Sequence, residues 1–159
     1  MKLLIINGPN LNLLGRREPD VYGAGSYDEL TRTIEDFARG ADIEVEIIQT
    51  NSEGAIIDAV HGAVDTADGI VINPGAYTHY SYAIHDALKS VDIPAVEVHL
   101  TNIASREEFR RRSVVAPACV GQISGLGFAG YIAAIGYFKS VRVGAAGKGE
   151  SRGRRGIPN

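Results

Sequence analysis

The sequence has a single cysteine, Cys119, so no internal disulfide can form, and nothing around it shows the Cys/His clustering of a zinc site. No apolar run approaches the roughly 20 residues that span a bilayer, and no signal-peptide pattern opens the chain. A cytoplasmic protein is expected, with its one thiol buried in the apolar stretch 115–123. Charge of one sign is also scarce, since the formal net charge is −3. Lys148, Arg152, Arg154 and Arg155 against Glu150 give the C-terminal end +3, so the body carries −6. A nucleic-acid-binding domain would show its basic face on the folded part, which excludes that class. Gly144, Gly147, Gly149, Gly153 and Gly156 interrupt any helix, so residues 144–159 are expected to form a disordered Gly/Arg-rich tail. Residues 1–143 then form one domain, large enough to bury a core without disulfides or metal.

What the sequence does have is alternation. Leu3-Leu4-Ile5-Ile6 is an apolar run of the kind buried on both faces of a parallel sheet. Ser26-Tyr27-Asp28-Glu29 reads as a capping box, and Tyr27, Leu30, Ile34 and Phe37 follow at helical spacing until Gly40. Further strands are predicted over 43–49, 69–72, 94–98 and 120–124. Helices are predicted over 52–66, with Ile56, Ile57, Val60 and Val64 inward, over 80–91 and over 128–142. Ser105-Arg106-Glu107-Glu108 reads as another capping box opening a helix. Five strands alternating with helices imply right-handed crossovers and a flavodoxin-like three-layer α/β sandwich, its five-stranded parallel sheet ordered 2-1-3-4-5. Ligands of such sheets sit beyond the carboxyl ends of the strands where the order reverses, here the loops after strands one, three and four.

Polar residues concentrate in those loops. The first, from Asn7 to Gly25, carries Asn10, Asn12, Arg16, Arg17, Glu18 and Tyr22, and its length far exceeds a usual strand-to-helix link, which suggests a lid. The second reads Asn73-Pro74-Gly75-Ala76-Tyr77-Thr78-His79, and the third supplies Glu97, His99, Thr101, Asn102 and Arg110. Glu97 and His99 are two apart on a strand and leave the same face, where a carboxylate can orient an imidazole and favour its protonated form, as a general acid needs. Backbone N–H groups of Thr101 to Ser105, ahead of the expected helix, could hold a carboxylate without a cation. His61 and His85 read as surface or packing residues, and Tyr27 and Tyr131 as core.

Asn7-Gly8-Pro9-Asn10-Leu11-Asn12-Leu13-Leu14-Gly15, Arg17-Glu18-Pro19 with Tyr22-Gly23, Ile72 to His79, Glu97-Val98-His99-Leu100 and Arg106-Glu107-Glu108-Phe109-Arg110 together resemble the type II 3-dehydroquinate dehydratases. The likeness extends through Gly121 to Tyr131 and spans residues 3 to about 138. It implies a lyase of the shikimate pathway, serving chorismate and aromatic amino acid biosynthesis, that dehydrates 3-dehydroquinate through an enolate with no cofactor, metal or Schiff base. By this resemblance Tyr22 would be the base, held as a phenolate by Arg17. Asn10 would help organise it, and His99, oriented by Glu97, would be the acid. Asn73, Gly75, Ala76, His79, Leu100, Thr101 and Arg110 would bind substrate. The family assembles as a homododecamer of four trimers, in which Asp86 would reach a neighbouring subunit's site.

The sequence departs from the family pattern at Thr101, where serine is common, at Ala104-Ser105, where an imidazole is usual, and at Tyr80, where threonine is common. These changes bear on affinity more than on chemistry. A flavin- or nucleotide-binding module on the same fold is the rival reading, but Pro9 lacks a backbone N–H and no Gly-x-Gly-x-x-Gly occurs. A catalytically silent scaffold would have lost Tyr22, Arg17 or His99, and all three are present.

Overall fold

The computed structural model describes residues 1–16 and 25–149, with the side chains of 143–149 excepted. Five strands, β1 (Lys2–Asn7), β2 (Glu44–Gln49), β3 (Gly69–Asn73), β4 (Ala95–His99) and β5 (Gly121–Ser124), form one sheet in the order 2-1-3-4-5. Every pairing is parallel, as the expected fold requires. Four helices cover the sheet: α1 (Tyr27–Gly40), α2 (Glu53–Gly62), α3 (Tyr82–Ser90) and α4 (Ala129–Gly149).

Strand alternation divides the core in two. Leu3 and Ile5 point to one face and pack with Leu30 and Ile34 of α1 and Tyr131 and Ile135 of α4. Leu4 and Ile6 point to the other, against Ile56 and Val60 of α2 and Ile84 and Leu88 of α3. Helix starts are fixed by serines: Ser26 and Glu29 form the reciprocal capping box, and Ser52 and Ser81 accept from the Ala55 and Ile84 N–H groups. Among the described residues no helix is long and apolar enough to cross a membrane.

Three expectations need correction. Val64 is 45% exposed rather than inward, because α2 ends at Gly62 and Ala63 takes the buried place. The Ser105 capping box opens no α-helix; short 3-10 turns at Ile103–Ser105, Glu108–Arg110 and Ala116–Ala118 occupy that stretch. Phe109 is the one large apolar side chain over residues 104–112 and is itself exposed, so no apolar stripe could seat a helix there. The last helix runs to Gly149, past the expected end at Arg142 and through Gly144 and Gly147, while residues 150–159, with Gly153 and Gly156, lie outside the described residues.

The loop after β1 is tied to β3 at its root. Gly8 donates its N–H to the Asn73 carbonyl at 2.8 Å, and a Cβ on Gly8 would fall 2.6 Å from the carbonyl carbon and oxygen of Pro74. Gly8→Ala is therefore expected to cost about 1–3 kcal/mol, as overpacking against backbone does. Urea unfolding is the measurement, and a midpoint equal to wild type would refute the tight fit.

Candidate active site

Strand register brings the chemistry together. Asn7 and Asn73 end β1 and β3 side by side, and His99 ends β4. Beyond these ends lies a cleft of about 200 Å³ lined by Asn10, Asn73, Gly75, Ala76, His79, His99, Leu100, Thr101 and Arg110, all expected from the sequence. Glu97 sits behind His99 with no exposure to water. Asp86 is exposed on α3 and is not part of the lining. Arg17, Glu18 and Tyr22 lie outside the described residues. Asn12 and Arg16 are exposed, and Asn102 serves as a cap, accepting from the Ala104 N–H at 3.1 Å.

His99 and Glu97 form the pair that their spacing suggested. His99 Nε2 lies 2.8 Å from Glu97 Oε1. An ionised carboxylate only accepts, so Nε2 carries the proton and Nδ1 is the atom left to gain or lose one. Burial pushes the Glu97 carboxyl upward. The bonds and charge of His99, with hydroxyls from Thr78 and Ser113, outweigh it and hold the group below the ordinary carboxylate range. Gly125 and Gly127, in the left-handed region at φ 90° and 54°, bond the carbonyls of His99 and Leu100 and close the strand end against the turn before α4.

Asn73 is fixed from both sides of its amide. Its Oδ1 accepts from the Gly75 N–H at 3.2 Å, and its Nδ2 donates to the Tyr131 hydroxyl at 3.0 Å. Tyr131 in turn donates to Asn7 Oδ1 at 2.7 Å, so one phenolic hydroxyl, as donor to Asn7 and acceptor from Asn73, sets the orientation of both asparagines. Burial raises the Tyr131 pKa far above the ordinary phenol, which keeps that proton in place. Sequence periodicity assigned Tyr131 to the core, correctly, but gave no sign of this polar duty. Asn51 was also missed. Its Oδ1 accepts from the Asn10 N–H at 3.0 Å and its carbonyl from the Tyr77 hydroxyl at 2.9 Å, anchoring two cleft loops.

The other cleft groups are held by contacts of their own. His79 gives its Nδ1 proton to the Arg112 carbonyl at 2.8 Å, and burial is the main cause that lowers its pKa below the usual imidazole value. Arg110 stacks on the Phe109 ring at 4.7 Å. Arg106, not singled out from the sequence, lines the cleft and donates to Thr101 Oγ1 at 3.3 Å. The expected anion site at Thr101 therefore does have a cation beside it. Cys119 is partly buried, and burial pushes its thiol to about 12, so it is inert.

A buried acid–imidazole pair behind a small cleft lined by amides and guanidinium groups suits proton transfer on a polar, anionic small molecule. Comparison with known proteins agrees. The dehydroquinase class II family matches residues 1–139. The 3-dehydroquinate dehydratase of Clostridium acetobutylicum is 57% identical over 89% of this chain and 98% of its own length, and that of Thermotoga neapolitana is 60% identical over 89% and 96%. The crystal structure of type II dehydroquinase from Butyrivibrio crossotus, 56% identical, matches with a TM-score of 0.85 over 86% of this chain and 96% of that one. This chain belongs to the class II dehydroquinases.

Because the Glu97 pKa is lowered in the fold, ionised Glu97 contributes stability above the unfolded carboxyl pKa of about 4.3, and that contribution disappears as pH falls through the folded value. Glu97→Gln would turn amide N–H groups toward surrounding donors, so a loss of about 1–3 kcal/mol is expected at pH 7. The gap between the two proteins should narrow as the pH is lowered below 4. Urea unfolding across that range checks it; a gap independent of pH would show that Glu97 is not ionised.

Proposed function

We propose that this chain dehydrates 3-dehydroquinate to 3-dehydroshikimate in the shikimate pathway, with Tyr22 as the base and His99 as the acid. The observation that carries the reading is the buried Glu97 bonded to His99 Nε2, which leaves Nδ1 to serve a ligand in the cleft. Tyr22 takes the proton from the carbon beside the ketone, giving an enolate. That enolate expels the ring hydroxyl, which leaves as water as the imidazolium form of His99 delivers its Nδ1 proton and keeps its Nε2 proton on the Glu97 bond. Tyr22 must ionise first. An ordinary tyrosine has a pKa of about 10, so a phenolate at pH 7 costs roughly 4 kcal/mol, which the Arg17 guanidinium offsets by favouring the charged form.

Asn10 organises the base and a water that stabilises the enolate, and Asn73 holds that water and substrate hydroxyls. The backbone at Gly75, Ala76 and Leu100 and the Thr101 hydroxyl receive the rest of the substrate, with its carboxylate at Thr101. His79 and Arg110 bind ring hydroxyls. Supporting this, the Arg110 guanidinium lines the cleft, held there by an ion pair of its Nε with the Glu107 carboxylate at 3.5 Å. No cofactor enters any of these steps.

The test separates the two ends of the reaction. Tyr22→Phe should lose dehydration by at least about 100-fold and also stop exchange of the substrate's alpha proton with deuterated water. His99→Ala should lose dehydration while keeping measurable exchange. Arg17→Lys, which keeps the charge without the planar fork, should fall between wild type and Tyr22→Phe. Normal exchange in Tyr22→Phe would remove Tyr22 as the base.

The working enzyme in this reading is a cytoplasmic homododecamer, a tetramer of trimers in which Asp86 contributes to a neighbour's cleft. The exposure of Asp86 on α3 supports that role. Sedimentation should give a particle of roughly twelve chain masses, and a fully active monomer would refute it.

A further inference from the structure

Glu97 is fully buried, yet apart from His99 the groups that bond it are neutral. Thr78 Oγ1 donates to Oε1, Ser113 Oγ lies 3.0 Å from both carboxylate oxygens, and Gln122 Nε2 donates to Oε2 at 2.9 Å. Ser113 is confined to the donor role. Its oxygen accepts from the Val115 and Ala116 N–H groups at 3.1 and 2.8 Å, which uses both lone pairs and leaves its single proton for the carboxylate. Thr78 Oγ1 stands 2.8 Å from Ser113, but with those lone pairs taken the Thr78 proton also goes to Glu97.

Thr78, Ser113, Gln122 and His99 each meet Glu97 with a hydrogen of their own, an arrangement that favours the ionised carboxylate. The carboxyl therefore stays ionised, and the proton shared by the pair rests on His99 Nε2. We infer that Thr78 and Ser113 are positioning residues for the acid: their hydroxyls hold Glu97 as an unprotonated acceptor and so fix His99 with Nδ1 toward the substrate. This rests on the reading of His99 as the acid. Neither residue is part of the cleft lining, so both act through Glu97.

The titratable groups around Glu97 are His99 on its own strand, His79 in the turn after β3 and Cys119 ahead of β5, with the Arg110 cation beside His79. Only His99 bonds the carboxylate directly, and the other three are unchanged by removing a hydroxyl. Loss of a donor makes the carboxyl easier to protonate, so the acid limb of the dehydration profile should move to higher pH.

Thr78→Val is the cleanest variant, since it keeps the shape of a fully buried side chain and removes only the hydroxyl. Two rates are measured across pH: dehydration, and exchange of the substrate's alpha proton with deuterated water. The expected result is dehydration down about 10- to 100-fold with its acid limb shifted upward, exchange within about threefold of wild type, and recovery of most activity in Thr78→Ser. A purely structural role would lower both rates together, leave the acid limb in place and give Thr78→Ser no advantage, and that pattern would overturn the inference. Should Thr78→Val fail to fold, Ser113→Ala reads the same two rates and is judged the same way. Failure of the acid assignment itself is seen separately, as dehydration that survives in His99→Ala.

Discussion

A carboxylate without access to water is tolerable only if its lone pairs all find donors, and the β4 end of the cleft is organised around that demand at Glu97. Donors arrive from four places in the chain: Thr78 after β3, His99 on β4, Ser113 in the irregular segment and Gln122 on β5. One side chain thus pins two loops to the sheet. The segment 103–118 has no α-helix to order it, and Ser113 is one of its attachments, holding Glu97 and two backbone N–H groups at once. Chemistry and architecture share the same bonds, because the acceptor that anchors the loops also sets the tautomer of the acid.

A second polar knot does similar work under β1 and β3. Tyr131 reaches from α4 through an apolar face to bridge Asn7 and Asn73, and Gly75 holds the other end of the Asn73 amide. The cleft floor is therefore rigid on both sides, and substrate meets groups whose orientation is settled before binding. Preorganised donors of this sort act on developing charge without rearranging, which suits them to the enolate of the proposed reaction.

The sheet order and its two-sided core were legible because they follow from short-range pattern: apolar runs, helical spacing and the capping box at Ser26. The Glu97–His99 pair was legible for the same reason, since residues two apart on a strand share a face. What the sequence did not disclose depends on long-range contact. Thr78, Ser113 and Gln122 are scattered over 45 positions and meet only when β3, β4 and β5 lie side by side. Tyr131 looks like any apolar helix residue until Asn7 and Asn73 are placed beneath its hydroxyl. The Ser105 motif misled because a capping box describes only a first turn, and a helix also needs an apolar stripe to bury. Arg106 escaped notice because an arginine inside a charged run gives no local sign that it faces a cleft.

The orientation proposed for His99 depends on where one proton sits, because Nε2 must keep its hydrogen on Glu97 if Nδ1 is to take up and deliver the second. Neutron diffraction from deuterated crystals, at a pH where His99 is neutral, would locate it directly. If Glu97 sets the tautomer, His99 carries its hydrogen on Nε2, pointing to a bare carboxylate, and Nδ1 is unprotonated toward the cleft. A hydrogen on Nδ1 with Nε2 bare, or a protonated Glu97, would contradict the orienting role of the buried carboxylate.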